Sequence, residues 1–98
     1  VEDHVSMGCT AALKARRIIN NVERILSIEL MSAAQGIDFR KEVTPPGARL
    51  GRGTQPVYDL IRQHVPFIAE DTIMYHYMDA VHKLVREHHI VNASASGY

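Results

Sequence analysis

The sequence predicts an all-α fold on three observations. Apolar residues recur at helical spacing along most of the chain, no stretch alternates apolar and polar residues as a half-buried strand would, and Cys9–Gln35 contains neither glycine nor proline. The 98 residues are 46% hydrophobic and 22% charged, with 11 basic groups against 11 acidic ones. That length fits one domain at most, and the apolar fraction is that of a folded chain. Balanced charge leaves no electrostatic footprint for nucleic acid or an anionic membrane. No run reaches the roughly 18 consecutive apolar residues of a membrane span, and Val1–Gly8 lacks the regions of a signal peptide. The chain reads as soluble, intracellular and cytoplasmic.

The first element is a helix over about residues 3–35. Ala11, Ala15, Ile18, Val22 and Ile25 form one apolar stripe, and Ala12, Ile19, Leu26, Leu30 and Ala33 form its neighbour. Gly36 comes where a left-handed cap would stop the helix. Such a helix is roughly 50 Å long at 1.5 Å per residue, whereas a globule of about 100 residues is only about 35 Å across. It must overhang any body the chain builds. Residues 36–53, with Pro45-Pro46-Gly47, Gly51 and Gly53, read as a connector. A second helix is expected over about 55–65, capped by Thr54, with Pro56 in its first turn and Val57, Leu60, Ile61 and His64 or Val65 on one face until Pro66 ends it. Asp71 or Thr72 can cap a third over about 72–89, where Met74, Tyr77, Met78, Val81, Leu84, Val85 and His88 share a face. The tail, 92–98, is small and polar and reads as frayed.

Few residues suggest chemistry by spacing alone. Of the six histidines, His76, His82, His88 and His89 lie on or near the third helix, but the gaps of six, six and one put no pair at the i,i+4 separation that two imidazoles need to share a metal. No metal site is expected. Cys9, the one cysteine, has no partner for a disulfide or a zinc motif and reads as a buried, inert thiol. At face value, Glu2-Asp3-His4-Val5-Ser6-Met7-Gly8 is a helix start whose acids suit the macrodipole.

That opening, with Ser27-Ile28-Glu29-Leu30-Met31-Ser32-Ala33-Ala34-Gln35-Gly36-Ile37-Asp38-Phe39-Arg40, resembles the C-terminal part of the aromatic amino-acid ammonia-lyases, and the histidine ammonia-lyase branch in particular. The resemblance continues through Gly53-Thr54, Val57-Tyr58-Asp59-Leu60-Ile61-Arg62, Val65-Pro66, Glu70-Asp71 and Asp79. It implies an enzyme that eliminates ammonia from an aromatic amino acid, most simply L-histidine to urocanate. The electrophile implied is 4-methylidene-imidazol-5-one, formed from an Ala-Ser-Gly in an N-terminal part that this sequence does not contain. Ala95-Ser96-Gly97 is read as a decoy, so the segment alone should be inactive.

By the same resemblance Glu2 is the catalytic carboxylate beside the substrate's amino group. A carboxylate in a helix's first turn is favoured as the anion, which suits holding an ammonium, while burial would move it toward general-base range. Asp3 is expected to cap the helix or to lie on the substrate side or just behind it, and His4 to lie near the substrate or pack behind the site. The implied partners are the rest of the subunit and the other subunits of a homotetramer, which share the long helix in a central bundle. Tyrosine or phenylalanine lyases and aminomutases of the same family are the alternatives, and outside the family a helical interaction module without chemistry.

Overall fold

The computed structural model describes the backbone from Glu2 to Tyr98 and the side chains from Met7 onward. Four α-helices follow in order: α1 (Glu2–Phe39), α2 (Gln55–His64), α3 (Tyr75–Arg86) and α4 (His89–Ser96), with one turn of 3-10 helix at Arg40–Glu42. No strand occurs among the described residues.

At 38 residues, α1 is about 57 Å long. It does not stop at the expected Gly36 but runs through it to Phe39. Glycine inside a helix costs about 0.5–1 kcal/mol, and the turn beyond it is held from outside. Gln35 donates its amide to the carbonyl of Ile68 at 2.6 Å and accepts the Ile68 N–H at 3.2 Å, and Asp38 binds two side chains of α2.

The connector closes on Pro45-Pro46-Gly47-Ala48. The Ala48 N–H reaches the Pro45 carbonyl at 3.1 Å and Gly47 sits at φ 82°, the residue pattern of a type II turn. In α2, Ile61 is buried and Val57 packs beside it. Val65 turns to extended backbone, as the residue before Pro66 is constrained to do.

The third helix is shorter than expected at both ends. It starts at Tyr75, with Met74 and not Asp71 or Thr72 at its N-cap, and it stops at Arg86. His88 then adopts the left-handed conformation at φ 63°, and α4 occupies the stretch read as a frayed tail. The tail is helical because it is packed. Ile90 lies against the core, and Gly97 is pressed on the Arg52 carbonyl so closely that a Cβ there would overlap it.

The core is small: Ala34 of α1, Ile61 and Val65, and Val81 of α3, flanked by Leu30, Met31, Ile68 and Tyr77. All of it lies against the C-terminal half of α1. The molecule measures 66 × 36 × 19 Å with a radius of gyration of 17.8 Å, against about 13 Å for a compact domain of this length.

Candidate functional site

Two faces of α1 behave differently. The face that packs on α3 begins with polar residues. Asn20 accepts a hydrogen bond from Arg86 at 3.0 Å, Glu23 lies 3.5 Å from His82 Nε2 and 3.8 Å from Arg86, and the buried Ser27 hydroxyl donates to the Glu23 carbonyl. Arg24 faces Asp79 at 3.7 Å. Farther along, the same face turns apolar at Leu30, Met31 and Ala34. His82 is itself buried, and its Nε2 has no hydrogen-bond partner.

The faces carrying the two apolar stripes look outward. Ile18 is 53% exposed, Ile19 61%, Val22 47%, Ile25 56% and Leu26 45%. Every residue from Met7 to Ile19 is exposed, and Asn20 bonds to Arg86 of α3 where the packed part of the helix begins. The N-terminal half of α1 is therefore a projecting rod whose apolar stripes the chain itself leaves uncovered.

Glu2, Asp3 and His4 lie in the first turn of that rod. Their side chains fall outside the described residues. Along the axis, Glu2 stands about 27 Å from Asn20 at 1.5 Å per residue. The position singled out as catalytic is thus at the far end of a projecting helix, well away from the chain's own core.

At the other end of α1 sits a polar cluster to which sequence patterning assigns no role. Asp38 accepts hydrogen bonds from the Tyr58 hydroxyl and the Arg62 guanidinium and pairs with Lys41 at 3.0 Å; Lys41 in turn donates to Tyr58 at 3.0 Å. Burial pushes the Asp38 carboxyl up, but the bonds from Tyr58, Lys41 and Arg62, together with the Arg62 charge, outweigh it and hold it below the ordinary value. The Tyr58 hydroxyl, and after it Asp38, raise Lys41 above its ordinary value. This cluster ties α1 to α2 and is architectural. Asp38, Tyr58 and Arg62 all lie in the stretches that carry the family resemblance, which was the available signal.

Ala95-Ser96-Gly97 can be tested directly as a source of the electrophile. Making an imidazolone ring from three consecutive residues requires a bond between the first residue's carbonyl carbon and the third residue's nitrogen. Here Ala95 and Ser96 are helical, and the Gly97 N–H meets the carbonyls of Ala95 and Ser94, the latter at 3.3 Å. Gly97 serves close packing on Arg52 instead.

Cys9 is exposed, not buried as expected. Among the described residues no three His, Cys, Asp or Glu side chains come within reach of one metal ion, and no helix is long and apolar enough to cross a membrane.

Residues 1–63 match the sequence profile of the family described as aromatic amino acid lyase. The chain belongs to the aromatic amino acid lyase family. Among the relatives it resembles is a histidine ammonia-lyase of Chloroflexus aurantiacus, 60% identical over 95 residues, which are 97% of this chain and 18% of that protein. The histidine ammonia-lyases of Alkaliphilus oremlandii and Gloeobacter violaceus are 46% and 42% identical over 92 residues, covering 94% of this chain and 17% of each relative. The chain thus spans less than a fifth of the length of the curated relatives it matches. No solved structure matches it.

Proposed function

We infer that the chain works as the C-terminal helical part of an ammonia-lyase that converts L-histidine to urocanate and ammonia. The observation that carries this reading is the 60% identity to a histidine ammonia-lyase across 97% of the chain. The geometry supports it in one respect: a helix whose apolar stripes stay exposed, with Glu2 in its first turn, suits an active site assembled from more than one segment.

In this reading the carboxylate of Glu2 holds the substrate's ammonium and accepts its proton, leaving the neutral amine. In the assembled site Asp3 supports the helix start, and His4 packs behind it or lies toward the substrate. The electrophile is 4-methylidene-imidazol-5-one, made from an Ala-Ser-Gly elsewhere in the whole protein. The enzyme is a cytoplasmic homotetramer in which the exposed stripes of α1 meet other segments of the subunits.

The test is turnover by the intact protein that carries this chain, offered L-histidine, L-tyrosine and L-phenylalanine in parallel. Urocanate from histidine, with little product from the other two, is the expected result. Preference for tyrosine or phenylalanine, or a β-amino acid product, would move the reading to another branch of the family. Glu2→Gln should lower kcat by a factor of about 10²–10⁴ with the assembly unchanged, and near-normal turnover would remove Glu2 from the chemistry.

A further inference from the structure

Beyond catalysis, the connector builds a cleft of its own. Four of the chain's eleven basic residues, Arg40, Lys41, Arg49 and Arg52, fall between Phe39 and Thr54, where Glu42 is the one acid. The type II turn at Pro45–Ala48 doubles this segment back, so that Arg49 and Leu50 lie across from Arg40, Lys41 and Thr44 around a cavity of about 390 Å³. The cavity has the Tyr58 ring and Ile37 in its wall. The loop is fixed at its far end by the Leu50 N–H, which donates to the Gln55 side chain at 3.0 Å.

Lys41 is paired with Asp38, but the two arginines of this cleft are not used up. Among the described residues Arg40 and Arg49 have no acidic partner, whereas the other arginines near the core, Arg24, Arg62 and Arg86, are all paired. The neighbouring acids are taken by other groups than these two arginines: Asp38 by Tyr58, Arg62 and Lys41, and Asp59 by the Gln55 amide at 3.0 Å. Two arginines without acidic partners in the lining of one hollow can offer planar pairs of N–H donors, the arrangement that matches the oxygens of a phosphate group. Gln55, at the start of α2, brings the positive end of that helix's dipole to the same wall.

We propose that this cleft is an anion site that takes a phosphate group through Arg40 and Arg49, with Tyr58 and Ile37 providing apolar contact for whatever the phosphate is attached to. The site is separate from Glu2, which lies at the opposite end of α1. It does not depend on which amino acid the enzyme acts on.

Calorimetric titration of the intact protein, in phosphate-free buffer and without amino-acid substrate, tests this. Inorganic pyrophosphate is one arm, and adenosine monophosphate, set against uncharged adenosine, is the other. Saturable binding of one anion per chain is expected, weakening as salt is raised. Tighter binding of the nucleotide would mark a phosphate carried on an organic body, and tighter binding of pyrophosphate a free polyanion. Arg40→Ala/Arg49→Ala should weaken binding about tenfold or more, since a single hydrogen bond to a charged group is worth at least about that factor. Arg40→Lys/Arg49→Lys, which keeps the charge and the fold but loses the fork, should weaken it less. Lys83→Ala, an equal loss of charge on α3, should leave it unchanged. Absence of saturable binding, or equal weakening by Lys83→Ala, would overturn the proposal. So would a change of assembly mass in the arginine variants with anion binding intact, because the cleft would then be a contact with an acidic protein surface.

Discussion

Asp38 holds α1 to α2 through three partners, and its contribution is readable as a pH effect. Its folded-state value lies below the ordinary 3.8, so the stability it adds is fully present above that pH and is lost as pH falls through the lower folded value. Asp38→Asn leaves the half-buried Arg62 without its counter-ion and should cost about 3 kcal/mol at neutral pH. The variant's deficit relative to the parent should shrink as acid protonates Asp38 in the parent. Urea unfolding at pH 7 and pH 3 checks both, and a deficit that does not change with pH would rule out this role for Asp38. Gly97 makes a second residue-scale prediction. A Cβ there overlaps the Arg52 carbonyl, so Gly97→Ala should cost about 1–3 kcal/mol and speed hydrogen exchange in α4. Neither role was legible in the sequence. The α2 partners of Asp38 are 20 and 24 residues away, beyond any local pattern, and Gly97 stood in a triplet that invited a chemical reading and a frayed one, not a packing one.

Helix periodicity located α1, α2 and α3 but not α4, and the ends of the elements were set by contacts that periodicity does not contain. The face of α2 was readable because Val57, Leu60, Ile61 and Val65 repeat regularly between a plausible cap and Pro66. Gly36 was not: the local rule makes it a cap, while the Gln35 and Asp38 bonds carry the helix past it. The two possibilities predict opposite signs for Gly36→Ala. A left-handed cap would lose stability, whereas a helical glycine with open space around it, as found, should gain about 0.5–1 kcal/mol. The break between α3 and α4 was hidden for a related reason, since no glycine or proline marks it and His88 takes the left-handed conformation itself. His88→Gly should be neutral or stabilising by up to about 1 kcal/mol, and His88→Val, β-branched at positive φ, should cost about 1–2 kcal/mol. The midpoint of chemical unfolding reads all three.

Across the whole chain, the overhang was legible by arithmetic, because about 50 Å of helix exceeds the body that 98 residues can form. Which face would pack was not. Of the two apolar stripes only Leu30, at the C-terminal end of α1, packs on the chain's own core, beside Ala34; farther up, α3 is met by Asn20, Glu23 and Ser27. Chains that bury polar residues and leave Ile18, Ile19 and Ile25 in water place the missing apolar partner outside themselves. In the function proposed above, these stripes join other segments of an assembled lyase and so bring Glu2 into a shared site. The decisive experiment is sedimentation velocity of the intact protein carrying Ile18→Asp and Ile25→Asp, with lyase turnover measured on the same material. Assembly mass and turnover should fall together, while α3 stays docked on α1. An unchanged assembly with normal turnover would show that the stripes of α1 neither join the subunits nor build the site.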